Sequence, residues 1–394
     1  MSLLGEFLKN SDICGTVVKI KYRLADFQKA TIIAANNTLD IHDMKIAVLL
    51  SGGVDSSVAL RLLKDEGHEI TAFYLKIWLE DELAFLGDCP WEEDMQYVEA
   101  ICREHDVPLK VIPLQTEYLD RVVSYVLEEL KRGRTPSPDI LCNERIKFGA
   151  FFDSIDESFE KVASGHYAQV EQVGDRWCLK KAPDKVKDQT YFLSSLRQDQ
   201  LARALFPIGH LEKKEVRDLA EKYDLATKTR KDSQGICFLG KIKYRDFVKF
   251  HLGEKHGMMV EQETRKVLGD HKGVWFYTIG QRQGLGLSGG PWYVTDRDLE
   301  TNTLYVSLKE DQVKLAEAKR TFTASHIHWI WPRPDQTGFE VKLRHGPNMN
   351  KAQIKSISED VIEITLDEID PGIAAGQSVI FYDGDYCLGR AVID

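Results

Sequence analysis

Hydrophobic positions along the chain fall into two regimes. From residue 44 to about 170, short apolar runs of strand length alternate with stretches of helical spacing. Residues 45–50 (K-I-A-V-L-L) read as a buried strand, and residues 58–66 as an amphipathic helix closed by Gly67. A second strand is predicted over 68–75, a helix over 91–105 with Met95, Val98 and Ile101 towards a core, and a third strand over 109–114. Helices over 118–131 and from 142 to 152 follow, then a strand over 161–164 that runs into Gly165-His166-Tyr167. Such alternation predicts an α/β fold, a doubly wound parallel sheet with helices on both faces. Its ligand would sit at the C-terminal strand ends, where Ser51, Leu75 and Gly165 fall.

The second regime begins near residue 320, where alternating runs recur at 340–344, 351–357, 361–366, 378–383 and 388–392. Turn signals such as Asp383-Gly384 separate them, which predicts a small antiparallel β-barrel or sandwich. Between the regimes lie a helix over 213–223 and a shorter mixed stretch, glycine-rich over 280–290. The expected organisation is an unassigned N-terminal extension (1–43), an α/β domain (44–242), a small central domain (243–315) and a C-terminal β-barrel (316–394).

Composition adds limits. The chain has 394 residues, enough for two or three domains, and no apolar run approaches the roughly 20 residues that span a bilayer. A net charge of −10 argues against a general affinity for nucleic acid, although local basic clusters occur: 131–134, 228–231, and Lys241 with Lys243 and Arg245. Seven unevenly spaced cysteines do not form a secreted disulfide framework, so a reducing compartment is expected. The acids Glu6, Asp12, Asp26, Asp40 and Asp43 count against a transit peptide.

Candidate chemistry starts at Ser51-Gly52-Gly53-Val54-Asp55-Ser56-Ser57, between the first strand and its helix. Two glycines let backbone N–H groups approach an oxyanion, and the helix start favours phosphate. The serines would add hydroxyl donors, and Asp55 could hold Mg²⁺ against phosphates. Neither G-x-G-x-x-G nor a Walker G-K-[ST] is present here.

Two cysteines stand out. In R-T-P-S-P-D-I-L-C-N (134–143) the prolines stiffen a loop ahead of a helix, and a spacing of three puts Asp139 and Cys142 on one face of its first turn. A helix start lowers a thiol's pKa; a small buried cysteine behind a capping Asp has the same signature. Cys237, in S-Q-G-I-C-F, follows Lys228, Arg230 and Lys231, whose charges favour thiolate, yet Ile236 and Phe238 also suit a core strand. Cys14, Cys89, Cys102, Cys178 and Cys387 have no such setting.

The S-G-G-V-D-S loop resembles that of the ATP pyrophosphatase superfamily. With L-K-I-W (75–78), the R-T-P motif, S-G-H-Y (164–167), K-D-Q-T-Y-F-L (187–193), D-S-Q-G-I-C-F (232–238) and Y-T-I-G-Q-R-Q-G-L (277–285), the sequence from about 44 to 394 resembles the tRNA-specific 2-thiouridylases. F-Y-L-K-I-W, C-P-W-E and G-G-P-W-Y-V are similar to the organellar branch, which implies an organelle interior (plastid or mitochondrion) in a eukaryote and the cytoplasm otherwise.

The resemblance implies ATP-dependent replacement of O2 of the wobble uridine of tRNA by sulfur, in a monomer with no membrane contact. Leu49, Leu50, Ser51, Gly52, Gly53, Val54, Asp55, Ser56, Leu75 and Gly165 would bind ATP, with Asp55 reaching Mg²⁺. Cys237 would carry a persulfide from a sulfur-donor protein, Cys142 would resolve it through a Cys142–Cys237 disulfide, and Asp139 would act as general acid/base. Ser137, Pro138, Asp139, His166, Lys187, Asp188, Gln189, Arg344, His345 and Gln377 would touch tRNA. Ser137 and His345 depart from the family's usual Asn and Tyr. Three other chemistries fit parts of the pattern: an amidating synthetase, a non-catalytic tRNA-binding module, and an iron–sulfur cluster on Cys142, Cys237 and Asp139. The synthetase needs an ammonia source that the sequence does not display, and the module has no use for the two cysteines.

Overall fold

The computed structural model describes residues 44–77, 91–231, 244–308, 319–332, 337–370 and 373–394. The expectations for residues 1–43, Cys89 and Cys237 lie outside them. The first domain opens with β1 (Lys45–Leu49), α1 (Val54–Asp65), β2 (Glu69–Lys76), α2 (Trp91–Glu104) and β3 (Leu109–Pro113). A long helix follows in three pieces: α3 (Gln115–Tyr118), a π-helical turn (Leu119–Val123) and α4 (Ser124–Lys131). The next is built alike, from α5 (Pro138–Leu141), a π-helical stretch (Cys142–Ala150) and α6 (Phe151–Ser154). Then come β4 (Lys161–Ala163), the pair β5 (Ala168–Val173) and β6 (Arg176–Lys181), α7 (Thr190–Leu193), α8 (Gln198–Arg203), β7 (Ala204–Leu205) and α9 (Lys213–Lys222).

The parallel sheet has the order β3-β2-β1-β4-β7. Both faces are covered, and β1 shows why: Ala47 and Leu49 pack with Tyr118, Val122 and Phe151, while Ile46, Val48 and Leu50 pack with Val58, Val98 and Ile101. An alternating strand sandwiched between two apolar layers has no solvated face, hence its continuous apolar run. The strand order reverses beside β1, because β2 lies on one side and β4 on the other. The crevice at such a switch point is where ligands bind in open α/β sheets.

After α10 (Tyr244–Leu252), a small sheet forms from β8 (Gly257–Glu261), β9 (Val267–His271), β10 (Tyr293–Asp298) and β11 (Thr303–Ser307) around Met259, Trp292, Val294 and Leu304. The last strands are β12 (Lys319–Trp329), β13 (Gly338–Lys342), β14 (Asn350–Ser356), β15 (Val361–Asp370), β16 (Ser378–Asp383) and β17 (Tyr386–Ile393). They run β12-β15-β14-β13-β16-β17 and close through β12 with β17, so the sandwich alternative gives way to a barrel. The start of β17 also pairs with β6, Tyr386 opposite Lys180 and Cys387 opposite Leu179. The β5–β6 hairpin therefore extends the barrel sheet, a connection not predicted above. No described helix is long and apolar enough to cross a membrane.

Candidate functional site

The S-G-G-V-D-S loop lies at the switch point. Gly52 has φ +75, and a Cβ there would come within 2.8 Å of Asp94 O and of Arg230 Nη1, so a side chain is excluded by backbone conformation and by space. Gly53 leads into α1, whose first intrahelical bond is Ser57 N–H to Gly53 O (3.2 Å). The N–H groups ahead of it point out of the helix start, towards where an anion would sit. Gly165, just past β4, packs on this turn: a Cβ would lie 2.6 Å from Ser56 N.

The serines brace the loop. Ser56 Oγ accepts from Ser51 N (3.2 Å) and donates to Gly53 O (3.1 Å), and Ser57 Oγ donates to Gly53 O (2.9 Å). Both are buried, so their hydroxyls shape the loop; Ser51 alone is exposed.

Asp55 is half-buried in the first turn of α1. Its Oδ1 accepts from Tyr167 Oη at 2.8 Å and from Lys213 Nζ at 2.7 Å. Arg230 donates to Gly52 O (2.7 Å), pairs with Asp94 and lies over Tyr97 with its guanidinium 4.6 Å from the ring centre. None of Tyr167, Lys213, Asp94 and Arg230 was singled out at this loop from the sequence. Lys228, expected with Arg230 beside Cys237, pairs with Asp224, and Lys231 is exposed. Among the described residues no group of three or more His, Cys, Asp or Glu side chains is placed to hold a metal ion. Asp55 as a single carboxylate suits Mg²⁺ that arrives with phosphate ligands.

The second cluster surrounds Cys142. Asp139 is half-buried in α5, and Cys142, only 1% exposed, caps that helix with its N–H towards Pro138 O and Asp139 O and begins the π-helical stretch. The wider turn is held from outside: Gln200, fully buried, donates to Glu144 O (2.9 Å) and Phe148 O (2.6 Å). Asn143 donates to Phe192 O (3.1 Å), joining the R-T-P motif to the K-D-Q motif. Ser137 bonds the Tyr191 hydroxyl, whose pKa burial pushes up to about 12. Cys237 and its pairing with Cys142 lie outside the described residues. Burial raises Cys102 to about 11 and Cys178 and Cys387 to about 12, which keeps them as inert thiols.

The residues expected at tRNA divide sharply. His166 is 8% exposed, bonded to Ser164 Oγ at 2.7 Å and set against Phe148 and Phe206. Burial, reinforced by Lys147, drives its pKa well below 6.5, so it cannot offer phosphate a cation. Asp188 is sealed, 2% exposed, with Lys342 Nζ at 2.7 Å and Thr190 Oγ1 at 2.9 Å. Both side chains are buried and hydrogen-bonded within the protein. Gln189 binds Tyr167 through its side chain and its N–H (2.9 and 2.8 Å). Arg344 is half-exposed and pairs with Asp370 at 3.0 and 3.1 Å. His345 stacks on Phe192 with ring centres 4.7 Å apart. Pro138, Lys187 and Gln377 are partly exposed. A cavity of about 630 Å³ between the β5–β6 hairpin and the barrel is lined by Lys180, Lys181, Lys185, Asp188, Glu340 and Lys342 among others, away from the S-G-G-V-D-S loop.

Comparison with known proteins gives three consecutive family matches: the tRNA methyl transferase HUP domain over residues 44–241, the tRNA methyl transferase PRC-barrel domain over 245–308, and the aminomethyltransferase beta-barrel domain over 319–393. The chain is 44% identical over 357 residues to the tRNA-specific 2-thiouridylase MnmA of Parabacteroides distasonis, covering 89% of this chain and 99% of that one. To the protein of the same name from Porphyromonas gingivalis it is 43% identical over 359 residues, with 89% and 99% covered.

Proposed function

The chain belongs to the tRNA-specific 2-thiouridylase family, and from that premise we propose how it works as a sulfur transferase on tRNA uridine. ATP is bound at the S-G-G-V-D-S loop and tRNA is the substrate, with the modified base at the wobble position. The C2 oxygen of the uracil is a very poor leaving group. It attacks the α-phosphorus of ATP, pyrophosphate departs, and C2 then carries an adenylate. The N–H groups at the start of α1 face the charge that leaves; the half-buried Asp55 would hold Mg²⁺, which would supply further neutralisation of the phosphates.

A persulfide on Cys237, loaded by a donor protein, attacks C2 through its terminal sulfur and expels AMP. Cys142 then attacks the inner sulfur, forming the Cys142–Cys237 disulfide and leaving sulfur on C2; an external thiol must reduce that disulfide before the next turnover. Asp139, half-buried three residues before Cys142, is the acid/base for the proton movements. The base has to be unstacked to reach these groups, as enzymes acting on a base require. The relatives compared here are bacterial; the organellar placement rests on local sequence details alone.

One observation carries the reading: a glycine-built anion loop with Asp55 at the switch point of a sheet whose one face shares its core with buried Cys142. The test is formation of AMP, pyrophosphate and 2-thiouridine on a tRNA transcript with a persulfide donor. Thiolated uridine with stoichiometric AMP is expected. Amidation without thiolation, or tRNA binding with no ATP turnover, would overturn the proposal.

A further inference from the structure

Lys213 is 158 positions from Asp55 in sequence, yet its Nζ lies 2.7 Å from Asp55 Oδ1. The lysine is the more buried partner, 15% exposed against 31% for the carboxylate. Its stem is anchored: Lys213 is the first residue of α9, and its N–H donates to Asp184 Oδ2 (3.1 Å). Asp184 is itself fixed by the N–H groups of Val186 and Lys187 at 3.0 and 3.1 Å. The ammonium thus stands beside the N–H groups of the α1 start, the feature that faces an anion. A carboxylate at that mouth, by itself, opposes a polyphosphate. Paired with Lys213 it does not, and a divalent cation arriving with the nucleotide competes for the same carboxylate oxygen. The displaced ammonium can then pair with phosphate oxygens at the same mouth.

We infer that Lys213 is a ligand of the nucleotide triphosphate: it neutralises Asp55 in the free protein and passes to the phosphates when the metal–nucleotide complex takes Asp55. The inference rests on the loop's being the ATP site. It gives α9 a function that its amphipathic sequence does not announce.

The test uses the full-length protein and calorimetric titration with two probes, α,β-methylene-ATP in Mg²⁺ and adenosine. Lys213→Met should weaken the triphosphate analogue roughly tenfold to a hundredfold, the range of a lost charge-assisted hydrogen bond. Adenosine affinity should stay as in the wild type, and Lys213→Arg should recover most of the loss. Unchanged binding of the analogue by Lys213→Met overturns the inference. So does an equal loss for both probes, which is what a purely structural tie between α1 and α9 predicts. Amine labelling of the wild-type protein, read by mass spectrometry, is independent of whether the variant folds. Lys213 should be protected by the Mg²⁺ analogue and not by adenosine; equal labelling with the two overturns the inference. A wild-type protein that binds neither probe sinks the nucleotide site itself, a different result from wild-type binding with a silent Lys213→Met.

Discussion

A histidine packed against two phenylalanines must be neutral to stay there, and His166 sets a pH dependence for the fold. Its folded pKa lies well below the 6.5 of an open histidine because burial, and secondarily Lys147, disfavours the imidazolium. The unfolded chain therefore takes up the proton first as pH falls. The cost is absent above about pH 6.5 and grows below it by up to about 1.4 kcal/mol per pH unit, until the folded pKa is reached. His105, His271, His328 and His345 are shifted in the same direction, each mainly by burial, and add to the slope. Thermal midpoints should fall between pH 7 and pH 5, and His166→Gln should flatten the decline by close to one proton's share; a variant with the wild-type slope would contradict the assignment. At the two cysteines, Cys237→Ser should leave nucleotide and tRNA binding intact and abolish thiolation from a persulfide donor, measured as 2-thiouridine by nucleoside mass spectrometry. Gly52, Asp55 and Gly165, which the fold brings together at one loop, were legible at this scale because they announce themselves by residue type in a motif. Lys213, Tyr167 and Arg230 were not, since a lone Lys, Tyr or Arg gains meaning only from what it meets across 158, 112 or 178 positions.

At the scale of elements, the K-D-Q-T-Y-F-L segment changes character once its partners are seen. Asp188 and Lys342 form an ion pair that is 2% and 3% exposed, and the pair joins the α/β domain to the barrel strand β13. Buried pairs are costly to break singly, because the charge left behind has no solvent. Lys342→Met should cost about 3–5 kcal/mol, visible as a lower urea midpoint, and Asp188→Leu added to it should restore part of the loss. A double variant less stable than Lys342→Met alone would show that the pair is not the coupling element. Strands β1 to β4 were legible to within a residue, since continuous apolar runs are local signals; three helix starts (Val54, Gln115 and Pro138) fall three or four residues earlier than expected, and the two-residue β7 was missed. The β5–β6 hairpin had a signal that went unused, two alternating runs around Gly174-Asp175. The π-helical stretch at Cys142 had none, because Gln200, which satisfies its carbonyls, lies 56 and 52 positions from Glu144 and Phe148.

At the scale of the whole molecule, all three regions meet on the short segment that leads into the Asp139–Cys142 turn. Arg297, in β10 of the central sheet, donates to Gly133 O (2.8 Å) and to Tyr277 O (2.8 Å). Thr135 N–H donates to Ala375 O (2.7 Å) ahead of β16, and Arg134 Nη2 reaches Ile393 O of β17 (3.1 Å) while Nε pairs with Glu129 (2.7 Å). The loop's two prolines then carry that fixed starting point to Asp139. Among the described residues, the nucleotide loop is held by Tyr167, Lys213 and Arg230 of its own domain. Loosening residues 133–135 should therefore separate the two halves of the reaction. Arg297→Met is expected to leave the affinity for α,β-methylene-ATP unchanged and to lower the single-turnover rate of thiolation roughly 10- to 100-fold, the penalty for a reacting group displaced by about 1 Å. Equal losses in nucleotide affinity and thiolation rate would mean that Arg297 supports the fold as a whole. A rate equal to the wild type would mean that the central sheet does not position the sulfur-transfer loop.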